Sequence, residues 1–299
     1  MFLEDPKKPR SKKKLSKAPK AYDNSLFMHS KDGRAIRILS EYLYPQHHLK
    51  KNNVNKFIIF FGSARIMPIE KYNEKHKNLI DFYNQASDEQ KPLLNEAIQK
   101  FEKQKVMSTY YDQAVELASM ISQWSKGLPE NHRFHICTGG GPGIMEAASK
   151  GAYLVGADAV GLNISLPFEQ NPNPYLSPDL NFEFHYFFMR KLWFASLAKA
   201  MIVMPGGFGT FDELMEILTL RQTEKISRPL PIIMYGSEFW KKVINFDYLC
   251  EMGMIKDIDM HLFEFADSPQ EAFDKLIPQL VKIDQIEVPT GVANENHQF

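Results

Sequence analysis

The run Met204-Pro205-Gly206-Gly207-Phe208-Gly209-Thr210-Phe211-Asp212-Glu213 constrains the fold more than any other part of the chain. It follows Ala200-Met201-Ile202-Val203, an apolar stretch with the character of a buried strand, and precedes Leu214, Ile217, Leu218 and Leu220 at helical spacing. A strand that turns through three glycines into a helix aims backbone N–H groups and the positive end of a helix dipole at one spot. Such a spot favours phosphate or another anion. Arg190 and Glu213 flank the turn with charges of both signs, which a chemical step could use.

Similar units recur along the chain. Residues 56–61 read as a first buried strand running into Gly62-Ser63-Ala64-Arg65, and residues 134–138 as a second, ending at Thr138-Gly139-Gly140-Gly141-Pro142-Gly143. Helix 144–154 follows, then strand 159–164, a Pro-rich loop, helix 187–199 and strand 200–204. Residues 231–234 predict a further strand, 238–249 a helix, 261–265 a last strand and 268–283 a last helix. Upstream, residues 33–45 predict a short amphipathic helix ended by Pro45, and 110–124 a core-facing helix. Strands alternating with helices predict an α/β fold, a Rossmann-like parallel sheet with helices on both faces. The loops at 62–65, 139–143 and 205–210 all follow strands. They should therefore share the carboxyl edge of the sheet, where such folds bind ligands.

The 299 residues suffice for one large α/β domain or two small ones, and the apolar fraction of 44% is ordinary for a soluble globular protein. The expected division is a tail over 1–21, one domain over 22–285 and a flexible tail over 286–299. Residues 66–107, rich in Lys, Glu, Gln and Asn, predict a helical insertion, either a hairpin packed on the body or an interaction arm. Residues 1–20 carry eight lysines and arginines against Glu4 and Asp5, about +6 in a chain of zero formal net charge. Such a tail reads as solvated and disordered rather than as a nucleic-acid site, since no aromatic residue interleaves the lysines. No run is long and apolar enough to span a membrane, and no secretory pattern leads the sequence, so a cytoplasmic location is expected. Cys137 and Cys250 provide no disulfide framework, and Cys137 reads as a buried filler. Histidine spacing predicts no metal site and no acidic cluster suggests magnesium. No cofactor is expected.

Several of these residues have ordinary explanations. Thr210-Phe211-Asp212-Glu213 is also the pattern of a capping box, in which Thr210 and Glu213 satisfy backbone donors at a helix start. Arg190 and Lys191 could simply be the solvated end of an apolar helix. Glu146 fits a helix-dipole complement as well as a ligand contact. The glycine turns match neither the lysine-bearing phosphate loop nor the dinucleotide fingerprint.

GGGPGIMEAASKGA (139–152), the Arg190-Lys191 pair and PGGFGTFDE (205–213) closely resemble the LOG family, often labelled lysine decarboxylase-like. GLNISLPFEQNPNPY (161–175), YFFMRK (186–191) and LTLRQTEKI (218–226) are similar to its longer bacterial-type members. The resemblance spans residues 56–283 apart from the insertion. It implies hydrolysis of the N-glycosidic bond of a nucleoside 5′-monophosphate, of the AMP or cytokinin-ribotide kind, giving free base and ribose 5-phosphate. It implies Arg190 and Glu213 as the catalytic pair and Gly206, Gly207, Gly209 and Thr210 as the phosphate turn. Gly139, Gly140, Gly141, Glu146, Ser63, Arg65 and Lys191 would line the ribose and base, and the partner would be a second copy in a homodimer or larger homo-oligomer. The alternative is a nucleotide-binding regulator or carrier that performs no chemistry.

Overall fold

A computed structural model of the chain describes residues 17–167 and 171–286. The basic residues 1–16 and most of the C-terminal tail therefore lie outside the described residues. The chain divides into two compact units at Leu43/Tyr44. In the first, Asn24 caps α1 (Ser25–Met28) by accepting from the Phe27 amide, and the Arg37 guanidinium donates to the carbonyls of Met28 and Ser30. Helix α2 (Arg34–Lys51) does not stop at Pro45 as its sequence predicts. Pro45 is buried within it, and Tyr44 and His48 on either side both pack edge-on against Phe182. Tertiary packing here outweighs the lost backbone hydrogen bond.

The second unit is built on a seven-stranded, wholly parallel sheet in the order β4-β3-β2-β1-β5-β6-β7. The strands are β1 (Phe57–Phe61), β2 (His135–Thr138), β3 (Ala159–Ile164), β4 (Asn181–Phe184), β5 (Ala198–Val203), β6 (Ile232–Tyr235) and β7 (Glu264–Ala266). The Rossmann-like α/β class expected from the sequence is what forms. Strand β4 has no counterpart among the predicted strands: it is four residues long, sits at the sheet edge and buries only Phe182 and Phe184. Helix 187–199 gives up its last two residues to β5. The last strand, predicted over 261–265, forms as β7 but starts later, because residues 257–262 make a 3-10 helix ahead of it.

The intervening helices are α3 (Ile69–Gln85), α4 (Lys91–Glu102), α5 (Lys105–Lys126), α6 (Ile144–Leu154), α7 (Phe187–Leu197), α8 (Phe208–Gln222), α9 (Ser237–Val243), α10 (Phe246–Glu251) and α11 (Pro269–Ile283). The helix predicted over 238–249 is thus two, broken at Ile244 and Asn245, where Asn245 caps α10. The insertion forms the expected helical hairpin: Tyr72 of α3 lies flat on Phe101 of α4, with ring centroids 4.7 Å apart.

Alternate residues of each central strand face opposite layers. Ile58 and Phe60 of β1, Ile136 of β2 and Ile202 of β5 join α5, α6 and α11 in one fully buried core. Phe61 points the other way, onto Phe194 of α7. The topology fixes where a ligand can go. The chain lays down β1, then β2, β3 and β4 on one side, and crosses back to put β5 on the other. At that reversal the loops after β1 and β5 diverge and leave a crevice.

Main-chain hydrogen bonds join the three loops at this edge. The Ser63 amide donates to Pro205 O (3.0 Å), the Ile144 amide to Ser63 O (3.1 Å) and the Met204 amide to Phe61 O (2.8 Å). Gly143 makes the contact possible. Its φ is +74°, and a Cβ there would sit 2.3 Å from the carbonyl oxygen of Ser63. Gly143→Ala should therefore lower the unfolding free energy by about 1–3 kcal/mol in urea titration, and a loss of only a few tenths would show that these loops can separate cheaply.

Candidate active site

The crevice is a cavity of about 710 Å³ lined from the three loops and from α7, α8 and β3. Ser63, Arg65, Gly139, Gly141, Arg190, Gly207, Gly209, Thr210 and Glu213 all line it, so most of the residues singled out from sequence meet in one place. Gly207 is the N-cap of α8, with no side-chain cap, and the amides of Phe208 and Gly209 are among those the first turn of a helix leaves unpaired. A Cβ on Gly207 or Gly209 would meet nothing within 4 Å, so these glycines are not required by packing. They leave the backbone bare toward the cavity. Gly206 differs: a Cβ there would strike the Thr210 side chain at 2.1 Å, so it lets buried Thr210 fold back under the turn.

The start of α8 removes the capping-box explanation of Glu213. With Gly207 as N-cap, Thr210 is the third helical residue and Glu213 the sixth, too far along to return to the first amides. Glu213 is instead 3% exposed, and its Oε1 is buried with no hydrogen-bond partner. The nearest cations are Arg190 Nη2 at 3.6 Å and Lys191 Nζ at 3.9 Å, beyond hydrogen-bond length. Burial raises its pKa from 4.5 to about 7; Lys191 and Arg190 pull it down, while Glu216 and Asp212 push it up. Desolvation wins because neither cation bonds to the carboxylate closely enough to replace water.

Arg190 is held from α7 between the rings of Phe187 and Phe194, with its guanidinium 5.2 and 5.8 Å from their centroids. Burial lowers its pKa, against the opposing pull of Glu213 and Asp212. Its Nε has no partner, and Nη1 lies 3.8 Å from where a Cβ on Gly139 would be. The result is a cation and a carboxyl side by side in the cavity wall, both largely buried and not hydrogen-bonded to each other.

Three expected lining residues lie elsewhere. Lys191 points onto α8, bonding Asp212 (2.8 Å) and Glu216 (2.6 Å). Burial depresses its pKa, but those two bonds more than offset this and leave it raised. Glu146 accepts a hydrogen bond from the Tyr111 hydroxyl at 2.9 Å and does not line the cavity. Gly140, at φ +74°, lies back against Asn163, whose Oδ1 would be 2.0 Å from a Cβ there.

Asn163 itself lines the cavity and was not singled out. Its Nδ2 donates to Asn181 Oδ1 (2.6 Å) and Phe182 O (3.0 Å) of β4. Its signal was a polar residue inside an otherwise apolar buried strand, but its partners lie on the strand that sequence reading missed. Phe208, 98% exposed on the rim, gave no signal at all. Met145, Ile164 and Leu166 complete an apolar end. Asn173, from the Pro-rich loop, fixes the opposite loop by donating to the carbonyls of Gly140 and Gly141.

A family model described as possible lysine decarboxylase matches residues 145–276. A protein of Oryza sativa subsp. japonica named as a probable cytokinin riboside 5′-monophosphate phosphoribohydrolase is 26% identical over 176 residues, covering 56% of this chain and 76% of that protein. An Arabidopsis thaliana protein of the same designation is 25% identical over 175 residues, covering 58% and 83%. A pyrimidine/purine nucleotide 5′-monophosphate nucleosidase of Escherichia coli K12 is 33% identical over 116 residues, 34% of this chain and 24% of that protein. Among the described residues no helix is long and apolar enough to cross a membrane, and no group of His, Cys, Asp and Glu could hold a metal ion.

The raised pKa of Glu213 has a thermodynamic consequence. Folding favours its protonated form, so its ionisation costs stability as pH rises from about 4.5 through about 7, and the cost levels off above. Measured against Glu213→Gln, the wild type should lose on the order of 2–3 kcal/mol of unfolding free energy between pH 4 and 8. Parallel pH profiles for the two proteins would show that Glu213 ionises normally in the fold.

Proposed function

The chain belongs to the LOG family, and on that premise we propose that it is a nucleoside 5′-monophosphate phosphoribohydrolase, of the AMP or cytokinin riboside 5′-monophosphate type. The observation that carries this reading is Glu213: a buried carboxyl without a hydrogen-bond partner, beside Arg190, one helical turn from the bare glycine amides of α8. The lysine decarboxylase description fits less well. Among the described residues no lysine lines the cavity to form an imine with pyridoxal phosphate, and Lys191 is engaged by Asp212 and Glu216 outside it.

In this proposal the 5′-phosphate sits at Gly207, Gly209 and Thr210, against unpaired amides and the helix dipole. The base lies toward the apolar end at Met145, Ile164 and Leu166, with the Asn163 carboxamide to read a polar edge. The ribose then falls between them, next to Glu213. Breaking the bond from C1′ to the base nitrogen builds positive charge on the ribose ring. Ionised Glu213 offsets that charge and takes a proton from the water that attacks C1′. The base leaves with its bonding electron pair and gains a proton, so water is added across the bond. Arg190 holds the carboxylate in place and, fixed by two aromatic rings, cannot collapse onto it. As in the LOG family at large, a homodimer is the proposed working form.

Glu213→Gln should retain nucleotide binding in calorimetry while base release, followed by chromatography, falls about 100- to 10,000-fold. Substantial base release by that variant would remove Glu213 from the chemistry. The base form being the active one, kcat/KM should rise between pH 5 and 8 with an inflection near 7. A rate that falls over this range would assign Glu213 the opposite role, as an acid.

A further inference from the structure

A second cavity, of about 290 Å³, adjoins the phosphate turn. It shares Ser63, Arg65 and Gly207 with the first, and the peptide of Gly206 and Gly207 forms part of its wall. The site proposed for the 5′-phosphate thus lies between the two. The far wall comes from the inserted segment: Ile66, Met67 and Tyr72 at its start, Gln104 and Met107 at its end. Phe239 of α9 closes another side.

Three properties define what such a chamber would take. Its lining is mostly apolar and aromatic, which suits a flat, uncharged group. Among the described residues no carboxylate lines it, so none of them repels an anion at its mouth. Its single charged residue, Arg65, makes no side-chain hydrogen bond or ion pair among the described residues, its amide alone being bonded, to Ser63 Oγ at 3.1 Å. A guanidinium free of partners beside a phosphate seat can meet an oxygen of a phosphate ester.

We propose that this chamber receives the group attached to the 5′-phosphate, so that the substrates include nucleotides whose 5′-phosphate is esterified by a small aromatic or apolar group. The proposal rests on the phosphoribohydrolase reading for the location of the phosphate. The bond broken is the same one: water adds across the N-glycosidic bond, the base leaves protonated, and the ribose 5-phosphate ester remains intact. The inserted helices set this specificity, because they supply the chamber's outer wall.

The test compares AMP with its 5′-phenyl ester on the full chain. Wild type should release adenine from the ester with kcat/KM within about tenfold of the AMP value, and Met107→Trp, which fills the chamber, should cut the ester's value at least about tenfold while leaving that of AMP within about twofold. Gln104→Trp, at an exposed position, provides a second obstruction that does not disturb the core. Rejection of the ester by an enzyme that hydrolyses AMP would overturn the proposal, as would variants that impair both substrates equally. Phenyl phosphate binding alongside AMP without competition would make the chamber a separate effector site, and would also overturn it. If no nucleotide is hydrolysed, the phosphoribohydrolase reading fails by itself. The chamber is then judged by calorimetry: the ester should bind wild type more tightly than AMP does, and lose that advantage in both tryptophan variants.

Discussion

Three main-chain hydrogen bonds at the carboxyl end of β1 hold the candidate site together. They run between Ser63 and Pro205, Ile144 and Ser63, and Met204 and Phe61. Strand β1 lies between β2 and β5, so the loops leaving these three strands emerge side by side. Parallel pairing alone brings them near one another; the added bonds fix their distance. Only glycine fits where the loops meet. Gly143 passes directly over Ser63 and Ala64 in a left-handed conformation, and Gly62 lies within 2.6 Å of the Ile144 side chain by the Cβ it lacks. The glycines of this edge therefore divide into two kinds: those that allow loops to touch, and Gly207 and Gly209, which touch nothing and leave the helix start open.

The electrostatics of the cavity follow from that frame. Helix α7 carries the chain from the edge strand β4 back to β5, α8 leaves β5, and the two helices place Arg190 and Glu213 3.6 Å apart. Were the pair closer, attraction would hold both the carboxylate and the guanidinium in their charged forms. At this separation burial prevails over attraction, and Glu213 stays near neutrality in its titration. Lys191 provides the contrast within the same two helices: it bonds Asp212 and Glu216 directly and remains firmly charged. One turn of α8 thus carries both a satisfied ion cluster and an unsatisfied carboxyl, and the difference is one of distance and access to water.

Much of the fold was legible in sequence because parallel strands buried on both faces read as continuous apolar runs, as 57–61 and 200–203 do. Strand β4 was not, since Asn181 and Glu183 interrupt it and its four residues resemble a loop. Missing β4 also hid Asn163, whose polar side chain makes sense only once Asn181 and the carbonyl of Phe182 lie beside it. Pro45 misled for a related reason: local rules stop a helix there, and contacts of Tyr44 and His48 with Phe182 carry it onward. At Thr210 the four-residue pattern was real but began three residues inside the helix, a register that depends on the backbone of Gly207.

By itself the sequence determined the α/β class, the strand-to-loop positions of the glycine turns and the residue types gathered at them, since these depend on local propensity and hydrophobic period. It also located the inserted helical hairpin. Tertiary structure alone decided which of the gathered residues face the cavity. Lys191 and Glu146 carry charges suited to a ligand, yet each is drawn to a partner far along the chain, Glu216 and Tyr111. Glu213 is left without one. That outcome turns on differences of about an ångström in the placement of α7 against α8, and on how completely water is excluded there. Neither quantity is written in the order of residues, because both arise only when distant segments pack.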